Sequence, residues 1–176
     1  MMLAQSLAAT PVLETPRLIL RAPQASDFPA FAAYAASERT RFVGGAKPHS
    51  AAFEKFASMI GHWPLRGFGR FVLVEKASGA PLGHAGPLQL DEAMLPELTW
   101  TLWSGAAEGQ GFAREAMEAV LPWMRELGVP EARSEVHRDN ARSHRLALAL
   151  GGVPCPELSG WMPGAMVYRF DLGAAA

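Results

Sequence analysis

Two short stretches bring together residue types that can do chemistry. In AAEGQGFAREAM, Ala106 to Met117, glycines bracket Gln110 in Gly109-Gln110-Gly111 and a helix-forming run follows at once. Glycine lets a backbone approach a ligand closely, and a helix starting there points unpaired N–H groups outward, so the stretch suits an anion. A single exposed charge at such a helix end gains about 0.3–1 kcal/mol, and a plain glycine connection that binds nothing fits the spacing equally well. In DNARSHRLALALGG, Asn140 and Ser143 fall one turn apart, on one face of a helix start. Asp139 or Asn140 can serve there simply as the cap, and Ser143 can face either solvent or a ligand.

Several familiar chemistries do not fit. A P-loop needs Lys-Ser or Lys-Thr after its last glycine, and neither dipeptide occurs. A dinucleotide turn needs a third glycine where Arg114 stands, and belongs near the start of a βαβ series rather than past the middle of the chain. No Cys-His or Ser-His-Asp signature marks a covalent nucleophile, and Cys155, followed by Pro156, reads as incidental. His49, His62 and His144 share no ligand spacing with one another or with the cysteine, so no metal is expected.

The elements that must position these residues follow from periodicity. RLILRAP reads as a first strand with Leu18 and Leu20 on one face. Ser26 and Asp27 then offer a cap, and Phe28, Phe31 and Tyr34 continue at helical spacing. After the loop RFVGGAKPHS, Phe53, Phe56, Ile60 and Trp63 predict a second helix. GRFVLVEKASGAPLGHAGPLQL reads as a hairpin turning at ASGA, and ELTWTLW, Glu97 to Trp103, as a strand leading into the glycine turn. Ala113, Ala116, Val120, Met124 and Leu127 form the apolar stripe of the next helix, with Gly128 as its stop; Pro122 inside it should kink the helix or end its regular hydrogen bonding. ARSEVH and MVYRFDL are the last strands, on either side of the Asn140 helix. The order β-α-α-β-β-β-α-β-α-β predicts an α/β (α+β) fold: a central mixed, mostly antiparallel sheet flanked by helices.

With 176 residues, 49% of them hydrophobic and 19% charged, the chain reads as one globular domain. Residues 13–172 form that domain, residues 1–12 a flexible tail without the positive segment of a signal peptide, and residues 173–176 a frayed end. A net charge of −1 argues against capture of nucleic acid or a membrane surface, and no apolar run approaches a membrane span. One cysteine fits a reducing, cytoplasmic setting.

In this order, LETPRLILRAPQASDFPAF, the hairpin, PELTWTLW, GQGFAREAMEAV and DNARSHRLALALGG together resemble the GNAT superfamily of acyl-CoA-dependent N-acyltransferases. Within it the chain is most similar to the branch of the ribosomal-protein N-terminal acetyltransferases. The resemblance spans Leu13 to Leu172 and implies a GNAT-like fold and acetyl-CoA as co-substrate, without a metal. It implies that the backbone amides of Glu108, Gly109, Gln110, Gly111, Phe112, Ala113 and Arg114 hold the pyrophosphate. The Glu108 carboxylate should then point away from it. Leu102, Trp103 and Ser104 should pair with the pantetheine arm, and Asn140 and Ser143 should contact it. The loop departs from the family pattern Arg/Gln-x-x-Gly-x-Gly/Ala at Ala106, where a polar side chain is usual.

Acyl transfer to an amine asks for a base, an oxyanion donor and a proton for the departing thiolate. By resemblance Glu97 is the preferred base, against a solvated strand-end charge. Ser143 and Tyr168 are the candidate acids, against a core role for Tyr168. Phe42, Trp63, His84 and Trp100 are candidate walls of the acceptor pocket; His84 could instead be a structural histidine, and His137 is a weaker catalytic candidate. The implied activity is N-acetyl transfer from acetyl-CoA to a small-molecule amine or a protein N-terminus, by a monomer or homodimer. An acyl-CoA-binding regulatory module without turnover is the alternative, and a dinucleotide oxidoreductase fits worse.

Overall fold

The computed structural model describes residues 10–158 and 160–173, so most of the expected tail and of the expected frayed end lie outside the described residues. One eight-stranded sheet organises the chain, in the order β1-β2-β3-β4-β5-β6-β8-β7. The strands are β1 Leu13–Glu14, β2 Leu18–Arg21, β3 Phe71–Glu75, β4 Pro81–Leu88, β5 Glu97–Leu102, β6 Glu131–Val136, β7 Val153–Pro154 and β8 Met166–Asp171. The helices are α1 Phe28–Ala35, α2 His49–Arg66, α3 Phe112–Glu126 and α4 Ala141–Ala149. Every neighbouring pair is antiparallel except β5 and β6.

Strand alternation sends side chains to two cores, one on each face. Phe71 and Leu73 join Leu18 and Leu20 under α3, while Val72, between them, packs with Phe31, Phe56 and Met59 of α1 and α2. Leu18 and Leu20 are fully buried, which contributes about 1.5–3 kcal/mol each. Helix α3 supplies Phe112, Ala116, Met117, Val120, Trp123 and Met124 to the first core.

The structure corrects several expectations. Helix α3 does not end at Pro122 but continues to Glu126, although proline has no N–H to give to the residue one turn earlier. Leu127 is half exposed because it is the residue after the last helical turn, and Trp123 takes the buried position instead. Phe53 likewise lies mostly exposed, edge-on to Phe28, and Met59 fills the core in its place. Strands β1 and β7, two residues each, were not anticipated.

Candidate active site

The site begins where the one parallel pair comes apart. Strands β5 and β6 meet at Glu97 and Arg133 alone. Beyond that position β5 stays with β4, from Leu98 opposite Pro87 to Leu102 opposite Gly83, while β6 stays with β8. Between their C-terminal halves opens a cavity of about 490 Å³. Trp100 and Thr101 line it from β5, Ser134 and Val136 from β6, and Asn140 and Ser143 from α4. Phe42, Lys55, Arg70, His84 and Glu97 also line it.

The glycine turn follows β5. Gly109 and Gly111 have φ of 75° and 82°, left-handed values that favour glycine, and Gly111 is the N-cap of α3. Among the described residues no side chain caps that helix, so its first amides are left for another acceptor. Arg17 braces the turn: Nε pairs with Glu115 at 2.6 Å, Nη1 donates to the Gln110 carbonyl at 2.9 Å, and the guanidinium lies over the Phe112 ring. The Glu108 carboxylate is bound by Arg39 at 2.6 Å and by Arg142. Burial alone raises its pKa, but the two arginines outweigh that and hold it below the usual range. Gln110 turns back to donate to the Ala106 carbonyl. These residues fit a pyrophosphate through backbone amides, with no anionic side chain left unpaired at Glu108.

The expected pantetheine strand is partly engaged already. The Trp103 amide donates to the Leu82 carbonyl at 2.8 Å and its buried indole donates to His84, so Trp103 belongs to the sheet and core. The Leu102 carbonyl accepts from Arg39 at 3.0 Å, and the Ser104 hydroxyl accepts from the Ala106 amide.

Asn140 is the cap of α4: its Oδ1 accepts from the Ser143 amide at 3.2 Å. The Ser143 Oγ in turn accepts from Trp100 Nε1 at 3.2 Å. That contact joins the two sides of the split and leaves the serine proton to be donated.

Glu97 lines the cavity mostly buried, with its Oε2 3.7 Å from Arg133. Burial raises its pKa above the ordinary carboxylate value, with Glu135 adding to the rise and Arg133 and Arg70 opposing it. Arg133 also lies 3.6 Å from Glu135, whose carboxylate accepts from the amides of Trp161 and Met162. His84 is buried with Nδ1 accepting from Trp103 at 2.9 Å; burial, then Arg70 and Lys55, holds its pKa well below 6.5. Phe42 lines the cavity with its ring 5.2 Å from that of His137.

Two expected site residues sit elsewhere. Trp63 is buried in the core between Phe71 and Trp123, with its indole donating to the Arg70 carbonyl, and does not line the cavity. Tyr168 is also buried and does not line the cavity. His144 Nε2 lies 3.1 Å from the Arg138 carbonyl, which requires a proton on Nε2; Nδ1 then accepts from the Tyr168 hydroxyl at 2.8 Å. The tyrosine proton is thereby committed to His144.

Arg39, Lys55, Arg70 and Arg133 are site residues that sequence reasoning missed. Each lies on a different element from the motifs, and no spacing pattern marks them.

A family model for the Acetyltransferase (GNAT) domain matches residues 17–153. No curated protein sequence matches the chain. An acetyltransferase from Agrobacterium tumefaciens str. C58 is 32% identical with a TM-score of 0.85, the match covering 92% of this chain and 95% of that one. At 15% identity and a TM-score of 0.73, the ribosomal-protein-S5-alanine acetyltransferase from Vibrio fischeri shares the fold over 92% of this chain and 96% of its own. RimL, a ribosomal α-N-protein acetyltransferase solved in complex with coenzyme A, does so at 13% identity and a TM-score of 0.73, over 94% of this chain and 100% of its own. The match over most of the chain, together with the split sheet and glycine turn, makes this protein a member of the GNAT acetyltransferase family.

Proposed function

We propose that this protein transfers the acetyl group of acetyl-CoA to a primary amine, a small molecule or a protein N-terminus, by direct attack in a ternary complex. The observation that carries the reading is the cavity between β5 and β6, which is lined by both Ser143 and the mostly buried Glu97. Acetyl-CoA supplies an acyl carbon already activated as a thioester. The amides at the start of α3 hold its pyrophosphate, and Asn140 keeps the first turn of α4 in place beside its arm.

The chain's own residues then handle two protons. An α-amine titrates near 8, so part of it is already neutral at physiological pH; Glu97, ionised, accepts the proton the nitrogen loses as the new C–N bond forms. The C–S bond breaks, and Ser143, its oxygen held by the Trp100 N–H, donates its hydroxyl proton to the departing sulfur and takes one back from solvent water in the same relay. Tyr168 supports α4 through His144 rather than donating in the cavity.

The test is release of free thiol from acetyl-CoA across amino acids, polyamines, aminoglycosides and peptides. The proposal expects thiol release that requires an amine and matches the N-acetylated product. A melting temperature raised by acetyl-CoA with no amine turned over would overturn it in favour of a binding module.

A further inference from the structure

The cavity wall carries two cations, Arg70 and Lys55, that have no carboxylate in contact with them among the described residues. Arg70, at the start of the strand pair formed by β3 and β4, is only 6% exposed, and Lys55 comes down from α2; both line the cavity. Among the described residues neither side chain makes a hydrogen bond, and neither has a carboxylate within ion-pair distance. The acids nearby are already occupied. Glu97 and Glu135 flank Arg133, Glu135 also takes two loop amides, and Asp91 accepts from the Ala93 amide.

A buried cation without a counter-ion is costly, and a chain normally pairs it or loses its charge. Arg70 shows that cost, since burial lowers its pKa from the usual guanidinium range to about 10, with Glu97 opposing the fall. Lys55 is lowered as well, by burial first and then by Arg70 and Lys47. Glu97 is electrostatically coupled to both, so the cations share one chamber with the proposed base. His84, held neutral there, adds no further charge.

We infer that the acceptor is an amine that also carries a carboxylate, seated with its nitrogen toward Glu97 and its carboxylate on Arg70 and Lys55. This rests on the N-acetyl transfer proposed above and narrows its substrate class. The carboxylate completes the missing ion pairs, and the charge-assisted contacts exist only for an acceptor that brings the anion with it. Polyamines and aminoglycosides, polycations without a carboxylate, meet Arg70 and Lys55 as like charges and are disfavoured. The anion could belong to a free amino acid or to an acidic side chain just after a peptide N-terminus.

The experiment compares matched acceptors: α-amino acids with their carboxamides, and dipeptide amides Ala-Asp with Ala-Asn. Specificity constants are referred to the free-base concentration of each amine, because the amides are weaker bases. The carboxylate member is expected to be favoured at least about tenfold in one series, and that series names the source. In Lys55→Met the acid-to-amide ratio falls at least about threefold, mainly through KM; Arg70→Met lowers it further, and Arg70→Lys restores part of it. Should Arg70→Met fail to fold, Lys55→Met decides. Equal rates for acid and amide in both series overturn this inference while leaving acetyl transfer standing. Failure of every amine, acidic or not, overturns the proposed function instead.

Discussion

Replacing Glu97 by Gln separates a catalytic from a structural role for the residue on which the chemistry turns. The substitution keeps shape and hydrogen-bonding reach but removes the basic oxygen. General-base catalysis contributes typically 10²–10⁴-fold, so kcat should fall by about that factor, or roughly 3–5 kcal/mol of barrier. Stability should move the other way. Burial sets the Glu97 pKa above its unfolded value of 4.5, so in the window just above 4.5 the folded chain holds a proton that the unfolded chain has released. Folding stability therefore declines as pH rises through that window and stays lower at neutral pH. Glutamine removes the ionisation, and the melting temperature at pH 7.5 should hold or rise. Initial rates of thiol release from pH 5 to 9, referred to the free-base concentration of the amine, complete the assay: the wild type should still lose activity on the acid side as Glu97 protonates, and the variant should lack that limb. A variant within about threefold of wild type, with the same acid limb, would refute Glu97 as the base. A large fall in melting temperature would refute the burial argument.

Ser143→Ala should lower kcat on the order of 10²-fold, whereas Tyr168→Phe should stay within about threefold while losing about 1 kcal/mol of stability with its bond to His144; kinetics on both variants check this, and the reverse pattern returns the acid role to Tyr168. Gly111→Ala should cost about 1–2 kcal/mol, because its φ of 82° is left-handed while a Cβ would meet Arg17 only at an ordinary 3.5 Å. Calorimetric titration should also show acetyl-CoA binding several-fold more weakly to that variant. Acid should destabilise the protein through His84: its folded pKa lies well below 6.5, so as pH falls below 6.5 the unfolded chain gains a proton that the folded chain refuses. His84→Asn, whose amide oxygen can still accept from Trp103, should flatten the fall in melting temperature between pH 7 and 5, with His62 leaving a residual slope.

The sheet was legible where a strand alternates, as β2 does, and where a turn marks a hairpin, although β3 and β4 are buried on both faces. Leu18 and Leu20 declare one face, and the glycine stops after α3 and α4 carry left-handed φ. Strands β1 and β7 were not, since two residues carry no period and β7 is exposed on both. Leu127 and Phe53 matched a helical spacing, but a spacing does not say where a helix ends or which neighbours cover it. The glycine turn and the Asn140 cap could be read because local chain geometry makes them. Arg70 and Lys55 could not, because their meaning lies in the missing partner, which only the assembled cavity reveals. The same holds for Tyr168, whose commitment to His144 depends on β8 lying beside α4.

Mass spectrometry of an amine acceptor incubated with the protein and acetyl-CoA tests the central claim most directly. The account predicts one acetyl group gained on the nitrogen, in step with thiol released, and lost in Glu97→Gln. An acceptor left unmodified by a protein that demonstrably binds acetyl-CoA would contradict it.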